Sequence, residues 1–201
     1  MIEPTRPLLP VVGEPPRERS DAARNRVALL EAAMALVERC GVDALTMDNV
    51  ATGAGVGKGT VFRRFRSREG LMAALLDHSE SAWQAEVMAG PPPLGPGAPA
   101  MERLLAFGDS RIEINLRHAD LIRAAGAAAT HNYAAYSFAA THTRHLLGEL
   151  GVRGDIALLA TALLAPIEAV ILQQQVEIER MDLARIRAGW RDLVRRVVGE
   201  P

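Results

Sequence analysis

Residues 46–65 read TMDNVATGAGVGKGTVFRRF. Two short helices joined by a glycine turn fit this stretch. The Thr46 hydroxyl can accept from the free N–H groups that open a helix running to about Gly53. Gly55 and Gly57 stand where the chain must turn. A second short helix then covers about Lys58 to Phe65. Val50, Ala51, Val56, Val61, Phe62 and Phe65 supply apolar anchors, and the small Ala51 and Gly55 let the helices cross closely. This is the plan of a helix-turn-helix, whose second helix enters the major groove of DNA.

The local charge agrees with that plan. The chain has 23 basic and 24 acidic residues, a formal charge of -1. That balance excludes a polycationic nucleic-acid coat and an acidic solvating protein but is silent about patches. Between Lys58 and Arg68 stand five basic residues, Lys58, Arg63, Arg64, Arg66 and Arg68, and no acid. Lys58 is the only lysine of the 201 residues. A basic run beside a recognition helix supplies sequence-independent attraction to phosphates.

Outward from this window the pattern stays helical. Before it, from Asp21 to Cys40, apolar residues recur at Val27, Leu30, Met34 and Val37, and Gly41 can end that helix. After it, Ser67 caps a longer helix to about Met88. Ten of the twelve prolines fall within residues 1–19 and 90–99. Proline fixes φ and removes a donor, so these stretches read as a disordered arm and a linker. Five further helices are expected over roughly 99–117, 119–129, 132–149, 153–178 and 182–198. No alternating strand pattern occurs, and the fold class is all-α. The expected division is an arm (1–19), a helix-turn-helix domain (20–66), a connecting helix (67–89), a linker (90–99) and a larger helical domain (100–201).

Residues 156–172, IALLATALLAPIEAVIL, are nearly all apolar. A membrane span needs about 20 such residues. This run is shorter and holds Pro166 and Glu168, so no membrane partner is expected. A helix apolar all round has one face for its own core and another for a partner. Leu183, Ile186, Trp190, Leu193 and Val197 form a stripe on the last helix. Together with Ile156, Leu159, Leu163, Ile167 and Ile171 they are the expected contacts with a second copy, as a four-helix bundle across a two-fold axis. The single cysteine, Cys40, excludes an internal disulfide, fits a reducing compartment and reads as a buried, inert thiol. The first residues carry prolines and charges in place of an apolar leader, so no signal peptide is expected and the protein is placed in the cytoplasm.

Residues 21–76 resemble the DNA-binding domain of the TetR family of transcriptional regulators. The residues that carry the resemblance are Thr46, Val50, Ala51, Ala54, Gly55, Val56, Gly57, Gly59, Thr60, Val61, Phe62, Phe65, Ser67, Arg68, Glu69 and Leu71. The chain departs from the family pattern at Phe62, where tyrosine is frequent, and at Gly57, where serine is usual. The resemblance implies a homodimer whose two heads bind operator DNA, and a helical C-terminal domain that binds a small effector and forms the dimer. It implies Thr46, Lys58, Gly59, Thr60, Val61, Phe62, Arg63, Arg64, Arg66 and Arg68 as the DNA-binding residues. Thr60, Arg64, Val61 and alternatively Arg63 are the candidates for base edges, where an arginine can bond guanine bidentately. Arg66 and Arg68 are assigned to phosphates.

In the C-terminal half, Phe138, His142 and Leu146 fall four residues apart on one face. Trp83, Phe107, His118, Tyr133, Tyr136, Phe138, His142 and Gln173 are the candidate effector residues. Few charges interrupt these apolar faces, so the expected effector is small and largely apolar. His142 and His145 lack convergent thiolates or carboxylates, and neither a metal nor a cofactor is expected. No catalytic motif is evident, neither a G-x-S-x-G elbow nor a phosphate loop nor H-E-x-x-H, so an enzyme is not expected. The expected function is a repressor released from DNA by its effector. The alternative is a helix-turn-helix protein that acts as a protein-interaction module.

Overall fold

The computed structural model describes residues 17–125 and 131–199, and their side chains except those of 17–23 and 131–135. Among the described residues ten α-helices follow in order: α1 (Arg17–Cys40), α2 (Met47–Gly53), α3 (Lys58–Phe65), α4 (Arg68–Ala89), α5 (Ala100–Arg117), α6 (Ala119–Ala125), α7 (His131–Glu149), α8 (Ile156–Leu164), α9 (Ala169–Gln173) and α10 (Leu183–Val198). Among the described residues there is no strand. Of the arm expected over 1–19, residues 1–16 lie outside the described residues, and 17–19 are helical instead, because α1 begins at Arg17, four residues before Asp21.

Side chains set the helix starts. Thr46 Oγ1 accepts from the Asn49 N–H at 3.1 Å, and Ser67 Oγ accepts from the Gly70 N–H at 3.1 Å. Asp155 and Asp182 do the same for α8 and α10. Each cap satisfies one donor that the helix geometry leaves open.

The single helix expected over 153–178 is instead broken. Its first part, α8, stops at Leu164 and gives way to a 3₁₀ turn, Ala165–Ile167, that contains Pro166. Proline lacks the N–H that would continue the ladder. Glu168 is extended, with ψ 146°, and α9 and a π-turn (Gln174–Ile178) follow. Residues 156–178 are long and apolar enough to cross a membrane by length and composition alone. Here, though, Ala160, Leu163, Leu164, Ile167 and Leu172 are buried in the protein's own core.

Two hydrophobic cores organise the chain. A head core joins Leu29, Leu30 and Ala33 of α1, Leu45 just before α2, Val50 and Ala51 of α2, Val61 and Phe65 of α3, and Leu71, Met72 and Leu75 of α4. It also takes Leu121 and Ala125 from α6. A body core joins Trp83 and Val87, at the far end of α4, to Leu104, Phe107 and Ile112 of α5, Leu146 and Leu147 of α7, α8, and Ile186, Trp190 and Val194 of α10. Trp190 packs its six-membered ring against Gly108. A Cβ there would stand 1.9 Å from the indole, so only glycine admits this approach. The indole N–H donates to the Leu163 carbonyl at 2.7 Å.

This packing corrects four expected contacts with a second copy. Leu163, Ile167, Ile186 and Trp190 are buried in the chain's own body, because the strongest apolar stripe of each helix turns inward. Ile156, Leu159, Leu193 and Val197 are partly buried against that core. Ile171 and Leu183 stay exposed, as do Leu158, Val170 and Ile178.

Candidate nucleic-acid interface

The head core fixes how α3 is presented. Val61 and Phe65 face inward, and the outer face carries Lys58, Gly59, Phe62 and Arg63. Thr60 and Arg64 flank it, half-buried. Val61 is 0 % exposed, so it cannot reach a base edge as expected. Phe62 is corrected in the other direction. It is 59 % exposed and is no core anchor, and Val56 is also exposed. A ring on the outer face beside Lys58 is placed to touch a ligand of α3. The turn from α3 into α4 is tight: Arg66 has φ 65°, and a Cβ at Gly70 would strike the Phe65 carbonyl oxygen at 2.2 Å.

The basic residues divide. Arg63 and Arg66 lie exposed at the surface. Arg68 turns inward, where its guanidinium donates to the carbonyls of Leu45 and Val42, both at 2.8 Å. Asp43 stands 4.0 Å away. Arg68 thus clamps the 3₁₀ turn Val42–Ala44 and the start of α2 to α4. Lys58 Nζ donates to Asp48 Oδ2 at 2.8 Å. Asp48 was not among the expected site residues. Its signal is plain in the sequence, for it is the only acid between Thr46 and Arg68. Cys40 is exposed rather than buried, because α1 ends there beyond the packed stripe.

In the body, the structure brings four candidate effector residues together. The Trp83 ring centroid lies 5.2 Å from that of Phe107 and 5.8 Å from that of Phe138. The His142 ring lies 4.9 Å from Phe107 and 6.1 Å from Phe138. His142 Nε2 is buried without a hydrogen-bond partner. Burial lowers the His142 pKa to about 4, helped by Arg103 and His145, so the ring is neutral. The Tyr136 hydroxyl donates to Thr161 Oγ1 at 3.1 Å, on the edge of the same cluster. The Tyr133 side chain lies outside the described residues. Gln173 stands apart, lining a groove of about 450 Å³ with Leu116, Val176 and Met181.

His118 belongs to a second, polar cluster that the sequence reading missed. Arg111 is 3 % exposed, pairs with Glu80 at 2.8 Å, and lies over the Trp83 ring at 4.9 Å. His118 Nε2 is 3.3 Å from Ser79 Oγ. Burial, then Arg117, lowers the His118 pKa to about 4, while burial raises that of Glu168 beside Arg111 and Glu80. Asn115 donates to the Ile167 carbonyl at 2.7 Å and so holds the helix break against α5. A signal for Arg111 exists in the sequence: it continues the inward stripe of Leu104 and Phe107 at 3–4 spacing. Among the described residues, no three His, Cys, Asp or Glu side chains are grouped to hold a metal.

Residues 29–75 match the family model for bacterial regulatory proteins of the tetR family. The head is a tetR-family DNA-binding domain. The match runs from α1 through α2 and α3 into the first half of α4, the part of the chain that packs around the tetR-family head core. The fold beyond the head is shared as well. A transcriptional regulator from Rhodococcus sp. Rha1 superposes with a TM-score of 0.65 at 17 % identity, over 87 % of this chain and 96 % of that one. A TetR-like transcriptional regulator from Rhodococcus sp. RHA1 gives 0.56 at 21 % identity, over 89 % and 98 %. The fatty acid degradation regulator FadR from Bacillus halodurans gives 0.61 at 14 % identity, over 85 % and 94 %. No curated protein matches by sequence. The chain thus joins a tetR-family head to a helical body whose fold is that of these regulators.

Proposed function

We propose that the protein is a cytoplasmic, homodimeric repressor that a small, largely apolar effector releases from its operator. The observation that carries this reading is the placement of α6. It starts directly after His118, in the polar cluster of the body, and sends Leu121 and Ala125 into the core of the head. A shift of the body at His118 therefore bears on the packing behind α3. Effector binding would favour one arrangement of the two heads over another, and operator affinity would follow that population.

The Trp83, Phe107, Phe138 and His142 cluster supports the choice of effector. It offers aromatic surface and one buried ring nitrogen in need of a partner. The exposed Leu158, Val170, Ile171, Ile178 and Leu183 support the dimer, since their faces lack cover within the chain. In the head, Thr60 and Arg64, or Arg63 instead, are the candidates for base edges, with Thr46, Lys58, Gly59, Phe62 and Arg66 against the backbone. The experiment is a mobility-shift titration on the DNA upstream of the protein's own gene. A discrete complex at moderate salt that small apolar compounds dissolve is the expected result. Retardation no stronger than on unrelated DNA sinks the repressor reading.

A further inference from the structure

The segment from Thr46 to Arg68 carries five cations and a single acid, and the structure joins that acid to the only lysine of the chain. The bond between Asp48 Oδ2 and Lys58 Nζ spans the glycine turn from α2 to α3. Both side chains are well exposed, at 63 % and 65 %, so packing does not force them together. Electrostatics does. Lys58 is the first residue of α3, whose N-terminal end has no side-chain cap and no acid in its first turn. The helix dipole makes that end positive, an unfavourable place for a lone ammonium and a favourable one for an anion. Asp48, in the first turn of α2, supplies the anion.

A DNA phosphate arriving at α3 would seek the same ammonium and the same helix end. We propose that Asp48 is a built-in competitor of the DNA phosphate for Lys58, which lowers the affinity of the head for any duplex. Resting on the reading of α3 as the recognition helix, this makes Asp48 a residue that sets the overall affinity of the head for DNA. It weakens the sequence-independent part of binding and leaves base-edge contacts untouched. Operator and other DNA are weakened alike, so Asp48 sets how tightly the head holds any duplex and how steeply salt releases it.

The test uses the full chain and a fluorescein-labelled duplex of mixed sequence, with binding followed by anisotropy as KCl is varied. Asp48→Asn should bind more tightly than the wild type. The slope of log K against log salt should steepen by about 0.9 per head, which from about 50 to 200 mM salt is about a 3.5-fold larger loss of affinity per head. In a Lys58→Ala background the same substitution should change neither affinity nor slope. Asp48→Glu, which keeps the charge, should bind as the wild type does. Melting followed by circular dichroism separates an effect on α2 stability, which would lower the midpoint without steepening the slope. An equal gain in both backgrounds overturns the proposal, because it would report only a deleted negative charge. So does a loss of binding by Asp48→Asn with melting intact. A wild type that fails to bind the duplex at the lowest salt overturns the reading of the head itself, and the role of Asp48 with it.

Discussion

Replacing Gly108 by alanine probes the body core at its tightest point. The new methyl would lie 1.9, 2.1 and 2.4 Å from three carbons of the Trp190 ring. Ordinary contact begins near 3.4 Å, so the indole must withdraw by the difference, about 1.5 Å. Overpacking of this kind costs roughly 1–3 kcal/mol. The retreat also breaks the 2.7 Å bond from the indole N–H to the Leu163 carbonyl. A buried polar group left without a partner costs about 1–3 kcal/mol more. Alanine in a helix interior returns about 1 kcal/mol relative to glycine. The expected net loss is therefore about 3 kcal/mol, within roughly 1–5. The assay is urea unfolding followed by tryptophan fluorescence, at one fixed protein concentration because dimerisation would shift the midpoint. Trp190→Leu in the same background should recover part of the loss, since a smaller, flexible side chain leaves room for the methyl. A Gly108→Ala protein more stable than the wild type, by the gain in helix propensity alone, would refute the argument that the indole is held in place.

Two further outcomes follow from the buried histidines and from Arg68. His118 and His142 titrate near 4 when folded and near 6.5 when unfolded, so protons bind preferentially to the unfolded chain in between. Their contribution is complete above pH 6.5 and is lost as the pH falls toward 4, by about 2 kcal/mol each at pH 5. Glu168, whose pKa burial raises, opposes part of this loss. Urea midpoints at pH 7.5 and 5 should differ accordingly, and His142→Phe should flatten the dependence. Equal midpoints would contradict the burial argument. Arg68→Met should cost about 2 kcal/mol through its two carbonyl bonds, while leaving the salt slope of DNA binding unchanged. Arg66→Met should do the reverse, lowering the slope by about 0.9 per head with little effect on melting. A swap of these two signatures would return Arg68 to the phosphates.

The parts of this fold legible in the sequence are those decided locally. Thr46, Ser67 and Gly41 mark helix ends because capping and turning are settled within a few residues. The helix-turn-helix spacing was legible for the same reason, and α3 spans the expected Lys58 to Phe65. What failed needed knowledge of which face is covered. Phe62 and Val61 are neighbours of similar hydrophobicity, yet one is on the surface and the other is fully buried. Only the placement of the other head helices around α3 decides between them. Trp190 and Leu163 were right as buried apolar residues and wrong in partner, because periodicity gives a stripe and not what it meets. Pro166 was visible, but whether it kinks a helix or ends it depends on Asn115 holding the Ile167 carbonyl from fifty-two positions away. The Glu80 and Arg111 pair lay hidden because charge on a helix ordinarily means solvent, and only tertiary packing encloses it.

The share of α6 in the head core bears on how the protein is made. A nascent chain that has emerged as far as residue 99 already holds α1 to α4, the whole of the helix-turn-helix and its basic residues. It still lacks Leu121 and Ala125, two buried members of that core. On the ribosome the reading head therefore lacks two buried members of its core until part of the body has been synthesised. A chain truncated before α6 would carry the DNA-binding surface without the packing that holds it in shape. The order of synthesis thus withholds a finished DNA-binding head until the segment that can govern it is being made.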